Sequence, residues 1–168
     1  MDSISPVGTG QPDSSDRQHR GQLNFALRES LRDVAVQLSL LNHRISGHLD
    51  LKGSDLECLD LVDRYGPISP GALARRAGLH PATMTGVVDR LERGGWITRG
   101  RDPSDRRAVV LAPVRSRGAE VLKLYAGMGA HMARICAGYS DSELELVAGF
   151  LRRTADAAVT AAEDLDAT

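Results

Sequence analysis

The apolar positions of this chain are spaced for long helices at both ends and for shorter elements between them. Across residues 23–49, apolar side chains recur every three or four positions, which predicts a long helix with one apolar face. The same spacing returns in residues 116–139 and from 141 to about 162, so two more long helices are expected. Residues 1–20 show no such periodicity. They are rich in Ser, Pro, Gly, Asp and Gln, which predicts a flexible tail.

A second helix is predicted after a break at Gly53 and is expected to run to Tyr65. Ser54 and Glu57 have the spacing of a capping box, in which each residue satisfies a backbone N–H of the other. Gly66 is a natural residue to follow the helix end.

Two further helices are predicted next, separated by glycine and proline. Ser69 is suited to cap a short helix that begins at Pro70 and ends at Gly78. The following helix is predicted from near Pro81 to Arg93. Its inward face is expected to consist of Met84, Val87, Val88 and Leu91.

Two strand-like runs follow, at residues 96–100 and 108–111, with Pro103 and Ser104 supplying the turn between them. Two short helices followed by a hairpin describe a winged helix-turn-helix. The predicted fold class is therefore mainly α with a small β-hairpin wing, flanked by long N- and C-terminal helices.

Charge is distributed unevenly, although the whole chain has a formal net charge of only −1. Residues 75–107 contain eight arginines against four acidic residues, a local net charge of +4. Residues 139–168 contain seven acids against two arginines, a net of −5. A basic stretch that coincides with the winged motif favours nucleic-acid binding.

The cysteines and the hydropathy pattern argue for a cytoplasmic protein without a metal centre. Cys58 and Cys136 lie among apolar helical residues without metal-ligand spacing, so we interpret them as structural thiols rather than as a redox switch. The histidines complete no ligand set. No apolar run is long enough to span a bilayer, and the start of the chain lacks the apolar core of a signal peptide.

The long terminal helices carry apolar stripes that are wider than one small core needs, which favours a symmetric homodimer. The expected organisation is a flexible tail at 1–20, an N-terminal dimerisation helix at 21–53, a winged helix-turn-helix at 54–113 and C-terminal dimerisation helices at 114–168.

Four segments resemble the MarR family of bacterial transcription regulators. They are SDLECLDLVDRYGP, SPGALARRAGL, HPATMTGVVDRLERGGWITR and the wing DPSDRRAVVL, in which Asp105 and Arg107 match the family's DxR element. The resemblance covers roughly residues 23–162. It implies a dimer built by the first and last helices, a pseudo-palindromic site on double-stranded DNA, and in many members repression relieved by a small phenolic or lipophilic compound.

Two features depart from the family pattern. The usual Leu-Thr-x-x-Gly after the wing is replaced by LAPVRSRG, in which Ala112 stands for the Thr and about two residues are added before Gly118. Gly86 lies inside the recognition helix, where glycine costs about 1 kcal/mol relative to alanine. Either the backbone approaches DNA closely at Gly86, or the position simply tolerates glycine.

The start of the recognition helix is expected to face the base edges in the major groove. The candidate residues there are His80, Pro81, Ala82, Thr83, Thr85 and Gly86. The two threonines can bond base edges or phosphates, and their methyls can contact thymine. For Thr83 the alternative is a cap on the helix.

Arg107 is the wing residue that we expect in the minor groove, with its guanidinium held by the Asp105 carboxylate. Arg106 would face phosphate or solvent. For Arg90 we favour a bond to Asp105 that anchors the wing. The alternatives are a phosphate contact and a surface pair with a neighbouring acid.

The remaining candidates are phosphate-binding arginines and a ligand pocket. Phosphate contacts are assigned to Arg75, Arg76, Arg99 and Arg101, with solvated side chains as the alternative. A pocket between the first, second and fifth helices would be lined by Leu40, His43, Leu59, Met128 and Met132, with core packing as the alternative for the apolar residues.

These observations predict a sequence-specific, double-stranded DNA-binding transcriptional regulator, a homodimeric repressor released by a small lipophilic or phenolic ligand. An enzyme is not expected, because the sequence contains no nucleophile elbow, phosphate loop or metal triad. No cofactor and no membrane association are expected. The alternative is a winged-helix module that binds protein and shows no salt-dependent affinity for duplex DNA.

Overall fold

The eight elements of the computed structural model follow the predicted order. The structure describes residues 14–102, 104–105 and 107–166. The elements are α1 Ser14–His48, α2 Gly53–Tyr65, α3 Pro70–Arg76, α4 Pro81–Arg93, β1 Ile97–Arg101, β2 Val109–Pro113, α5 Arg115–Cys136 and α6 Asp141–Asp166. The predicted fold class, mainly helical with a small antiparallel hairpin, is confirmed.

The chain divides into two compact units, and the boundary falls inside α1, between Arg44 and Ile45. In the first unit α1 begins at Ser14, so residues 14–20, predicted as part of a flexible tail, are helical. Polar residues extend the helix outward, and among them Arg17, Gln18 and Arg20 are of types that favour helix. Residues 1–13 of the predicted tail lie outside the described residues. Large apolar side chains of this helix are exposed: Leu23, Phe25, Leu27, Val34, Val36, Leu38 and Leu40.

The core of the second unit is the helix-turn-helix closed by the hairpin. Met84, Val87, Val88 and Leu91 of α4 are buried, as their spacing predicts. The hairpin pairs in the register Ile97↔Pro113 to Arg101↔Val109. Ile68, ahead of α3, exchanges two backbone hydrogen bonds with Leu111, at 3.0 and 2.8 Å. This bridge ties the start of the helix-turn-helix to the base of the wing.

Side-chain hydrogen bonds cap the first turns of α3 and α6. Ser69 Oγ accepts the N–H of Ala72 at 3.2 Å, as predicted. A capping box begins α6, since Glu143 Oε2 accepts the N–H of Ser140 at 2.8 Å and Ser140 Oγ accepts the N–H of Glu143 at 3.4 Å.

The predicted box at Ser54 and Glu57 is wrong. Lys52 occupies the N-cap position of α2 without a side-chain cap, so the third helical position falls on Asp55, whose Oδ2 accepts the Lys52 N–H at 3.5 Å.

The last two helices are long and exposed. α5 begins at Arg115, after an N-terminal capping residue, Val114, that provides no side-chain hydrogen bond, and α5 contains no fully buried residue. Large apolar residues of both helices are exposed: Leu122, Leu124, Met132, Ile135, Leu146, Val147, Leu151, Val159 and Leu165. Over the described residues, none of the helices combines the length and the apolar character that crossing a bilayer requires.

Candidate nucleic-acid interface

The start of α4 presents a polar, exposed face opposite its buried one. His80, Pro81, Ala82, Thr83 and Thr85 are all exposed, while the next turns contribute side chains to the core. The predicted major-groove residues therefore lie together on one accessible surface. Their contact with DNA remains a prediction.

His80 caps this helix, because its Nδ1 accepts the N–H of Ala82 at 3.3 Å. The capping role considered for Thr83 is thus filled by His80. Thr85 Oγ1 donates to the carbonyl of Pro81 at 3.1 Å, which orients its hydroxyl and its methyl. A Cβ on Gly86 would meet only Arg90 Nη1, at 3.5 Å, so packing within the protein does not require glycine there.

Arg90 binds a buried carboxylate rather than the wing. Its Nε and Nη2 donate to Asp55 Oδ2 and Oδ1 at 2.9 and 2.6 Å, and Asp55 is 2% exposed. The hydrogen bond to Asp55 is the main cause that raises the pKa of Arg90. The expected bond from Arg90 to Asp105 is therefore wrong, because α2 offers a buried carboxylate on the inner side of α4. This bidentate pair fixes the recognition helix against α2.

Arg99 links the wing to the recognition helix. Its Nη2 pairs with Asp89 Oδ1, and its Nε lies 3.2 Å from Glu92 Oε2. The guanidinium that was expected at a phosphate is held by two carboxylates of α4. Anchoring of the wing, expected from Arg90, is thus carried out by Arg99.

The wing tip is organised by two carboxylates that accept backbone N–H groups. Asp102 Oδ1 accepts the N–H and the hydroxyl of Ser104 at 2.7 and 2.5 Å and the N–H of Asp105 at 3.3 Å. The bond to the Ser104 hydroxyl is the main cause that lowers the pKa of Asp102. Asp105 Oδ1 accepts the backbone N–H of Arg107 at 2.9 Å.

The prediction that Asp105 holds the guanidinium of Arg107 is therefore wrong, because the carboxylate binds the backbone N–H instead. Within residues 14–102, 104–105 and 107–166, Arg107 is exposed and forms no ion pair. The Asp105 carboxylate lies only two residues before Arg107, and it already accepts the backbone N–H of Arg107 within a turn. Arg106 and Pro103 lie outside the described residues.

The other arginines have different surroundings. Arg75 and Arg101 are exposed, Arg75 in α3 and Arg101 at the end of β1. Arg76 is also exposed, and its guanidinium carbon lies 4.1 Å from the centre of the Tyr65 ring. Stacking on tyrosine leaves the charge of Arg76 in place.

The residues predicted to line a ligand pocket have varied surroundings. Leu59 belongs to the core of the helix-turn-helix, which agrees with its alternative packing role. Met128 is half-buried and Met132 is exposed. In the first unit, Leu40 and His43 are both exposed.

A cleft of about 340 Å³ opens between α3, α4 and the hairpin. It is mainly apolar, with Thr85 and Arg99 as its polar members. Its apolar lining includes Pro70, Met84, Val88 and Val109. An occupant of this cleft would lie between the recognition helix and the wing.

Cys58 is buried in the core of the helix-turn-helix, whereas Cys136 at the end of α5 is half-buried. No cluster of three or more His, Cys, Asp or Glu side chains with metal-binding geometry occurs among the described residues. Burial, with a smaller contribution from Asp55, raises the pKa of the Cys58 thiol to about 11. Cys58 is therefore protonated at neutral pH, and a protonated buried thiol is a poor nucleophile.

Sequence reasoning missed Asp55, the residue that holds Arg90. A signal was present, because Asp55 precedes Leu59 and Val62 by four and seven positions and so lies on the apolar face of α2. An acid on such a face needs a cationic partner. Neither the pairing of Arg99 with α4 nor a role for Arg117 was expected.

Comparison with known proteins identifies the family. The model of the MarR family matches residues 51–109. The HTH-type transcriptional regulator YcgE of Bacillus subtilis is 30% identical over 142 residues, which cover 84% of this chain and 92% of YcgE. The HTH-type transcriptional repressor YetL of the same organism is 27% identical over 119 residues, covering 70% of this chain and 71% of YetL.

A solved structure shows the same fold. Streptococcus pneumoniae FabT in complex with DNA superposes with a TM-score of 0.60 at 23% identity, over 87% of this chain and 99% of FabT. The fold and the exposed recognition helix define a class of protein: transcription regulators that bind DNA through a winged helix-turn-helix. The chain belongs to the MarR family, whose members are transcription regulators and not enzymes.

Proposed function

We propose that this protein is a homodimeric repressor that binds a pseudo-palindromic DNA site and leaves it when a small lipophilic or phenolic ligand binds. The observation that carries the proposal is the exposed start of α4 beside an arginine-bearing wing. A helix with one buried face and a polar, exposed N-terminal half is suited to the major groove. The name of the relative YetL, a transcriptional repressor, favours repression over activation.

Base reading is assigned to the exposed turn at the start of α4. Thr83 and Thr85 place a hydroxyl and a methyl each on this surface. The hydroxyls can bond base edges or phosphates, and the methyls fit thymine. His80 keeps Nδ1 on the backbone, so its Nε2 is the ring atom directed to a partner.

The minor groove is assigned to Arg107. Asp102 accepts the backbone N–H of Asp105, and Asp105 accepts the backbone N–H of Arg107, so hydrogen bonds restrain the backbone that presents the guanidinium. A narrow A·T-rich groove concentrates negative potential and favours such a group. Arg75, Arg76 and Arg101 are assigned to phosphates, while Arg90 and Arg99 act through carboxylates within the protein.

Dimerisation is assigned to the long helices. In the second unit, the apolar side chains of α5 and α6 remain exposed, and α1 of the first unit carries a further exposed apolar set. Exposed apolar side chains in this number, on each of these helices, favour burial in a protein interface. Two copies related by a twofold axis would present two recognition helices to two half-sites.

The ligand is assigned to the cleft between α3, α4 and the hairpin. Its apolar lining suits an aromatic or lipophilic body, and the guanidinium of Arg99 offers hydrogen-bond donors for a phenolic oxygen. Arg99 also holds the wing to α4 through Asp89 and Glu92. A ligand that forms hydrogen bonds with the guanidinium of Arg99 would compete with Asp89 and Glu92. The wing would then be held less firmly to α4, and DNA binding would weaken.

The decisive experiment compares Arg107→Ala with the wild type on the duplex upstream of the protein's own gene, by fluorescence anisotropy across a salt series. We expect a loss of about 1–3 kcal/mol in binding free energy. The slope of log K against log salt should become shallower by about one, since one cationic contact with the duplex is lost. Arg152→Ala, a change of the same charge on α6, should leave both quantities unchanged. Wild-type affinity and slope in Arg107→Ala would overturn the assignment of the wing.

A further inference from the structure

Trp96 lies where the recognition helix, the wing and α5 meet. It is 3% exposed, and it is the only tryptophan in the sequence. Its backbone N–H donates to the carbonyl of Leu91 in α4 at 2.9 Å. Its carbonyl accepts the N–H of Val114, the capping residue of α5, at 2.9 Å. The backbone of this residue therefore connects the end of α4 to the beginning of α5.

The glycines before Trp96 make this junction tight. A Cβ on Gly94 would lie 2.7 Å from Cδ1 of the Trp96 ring, so the ring covers the turn without space for a side chain. Gly95 has a φ of 71°, a conformation that side chains disfavour. The turn thus holds the indole close against the end of the recognition helix.

Arg117 closes the same junction from α5. Its guanidinium carbon lies 3.7 Å from the centre of the Trp96 ring, which is a close cation–π contact. Its Nη1 donates to the carbonyl of Gly94 at 2.8 Å, a carbonyl that α4 leaves unsatisfied at its C-terminal end. Its Nε is buried and lies 3.1 Å from Glu120 Oε1, but its N–H is not directed at that oxygen, so the contact with Glu120 is ionic.

Beyond Arg117, the same face of α5 packs against the DNA-binding domain for two more turns. Val121, one turn further, packs against the core of the helix-turn-helix. Tyr125, another turn on, is partly buried, and burial together with the carboxylate of Asp60 in α2 raises its pKa. Other faces of α5 are exposed, as Leu122 and Ile135 show. Arg117 is therefore the first contact in the row that joins α5 to the domain.

We propose that Arg117 is a positioning residue that sets the angle between the recognition helix and α5 by clamping Trp96 and the carbonyl of Gly94. The irregular segment LAPVRSRG places this arginine within the first turn of α5. Since α5 is assigned to the dimer, the clamp transmits the spacing of the two copies to the two recognition helices. This inference rests on the proposed DNA-binding dimer.

The test is Arg117→Met, with Arg115→Met as the matched control. Arg115 is exposed in the same helical turn, so the control removes the same charge without touching the indole. We expect Arg117→Met to lower the affinity for the duplex about tenfold while the salt slope stays at the wild-type value, because no phosphate contact is lost. Arg115→Met should retain wild-type affinity.

Tryptophan fluorescence of the free protein tests the clamp without DNA. In Arg117→Met the emission of Trp96 should change and acrylamide should quench it more strongly, whereas Arg115→Met should match the wild type. A wild type without salt-dependent duplex binding would overturn the proposed function. Unchanged Trp96 quenching in Arg117→Met would overturn the clamp.

Two further results would count against the clamp. A salt slope reduced by about one contact would make Arg117 a phosphate ligand. A loss of affinity no greater than the loss of folded protein, measured by circular dichroism, would make its role purely structural.

If Arg117→Met does not fold, Arg117→Lys serves instead. Lysine keeps the charge over the ring but lacks the planar fork, so this variant should retain the salt slope and lose part of the affinity.

Discussion

At the scale of single residues, the arginines of the basic stretch differ in what their charge can do. Arg90 and Arg99 are held by carboxylates of α2 and α4, so much of their charge is balanced within the protein. Arg107 is exposed, and its backbone N–H is bound by the carboxylate of Asp105. The local charge count predicted a nucleic-acid interface, but only the partners distinguish an arginine that supports the interface from one that can contact DNA.

Gly86 provides a test at the residue scale. Gly86→Ala should stabilise the protein by about 0.5–1 kcal/mol, because alanine is the better helix former and the new Cβ meets only Arg90 Nη1 at 3.5 Å. If the backbone approaches DNA here, affinity for the duplex should fall despite the added stability. Thermal unfolding and anisotropy measure the two effects.

Gly129→Ala is the matched control for this change. Gly129 lies inside α5, and a Cβ there would have no neighbour within 4 Å. The control should show the same gain in stability and no change in affinity. Wild-type affinity in Gly86→Ala would identify Gly86 as a helix position that merely tolerates glycine.

At the scale of elements, helix ends follow from local sequence, whereas links between helices do not. Ser69 and Ser140 cap the helices that their neighbours predict, because a cap and its partner lie within three residues. The pair Asp55–Arg90 joins positions 35 residues apart. The residues that form it are visible in the sequence, but their pairing depends on how α2 packs on α4.

This pair makes an asymmetric prediction about stability. Arg90→Met should cost about 3–5 kcal/mol, because it leaves the buried carboxylate of Asp55 without a cation. Asp55→Asn should cost less, since the side chain of Arg90 is 35% exposed and can reach water. Urea unfolding monitored by circular dichroism gives both values. A larger cost for Asp55→Asn would contradict this account of the pair.

At the scale of the whole molecule, the long helices leave apolar surface that a single copy does not cover. In α6 this includes Val147 and Leu151, which are 46% and 48% exposed. The spacing of such residues predicted an apolar stripe, and the structure confirms the helices that carry it. Which surface of a second copy meets the stripe is a question of shape that periodicity does not address.

The proposed dimer can be tested on α6. Leu151→Glu should give a monomer in sedimentation experiments, because it places a charge in the apolar surface assigned to the interface. Affinity for a two-half-site duplex should then fall by about 10²-fold or more, since each recognition helix would bind alone. Thr160→Glu, nine positions along and so on the opposite side of α6, should remain dimeric. Dimeric Leu151→Glu would contradict the assignment.

The sequence alone determined the order and type of the elements, most helix ends and the basic character of the winged motif, because periodicity, caps and local charge act over a few residues. The tertiary structure decided which side chains meet. It replaced Asp105 by Asp55 as the partner of Arg90, it bound Arg99 to α4, and it brought Arg117 to the carbonyl of Gly94 across 23 positions. Such pairs form only when packing brings distant elements together, so no local pattern records them.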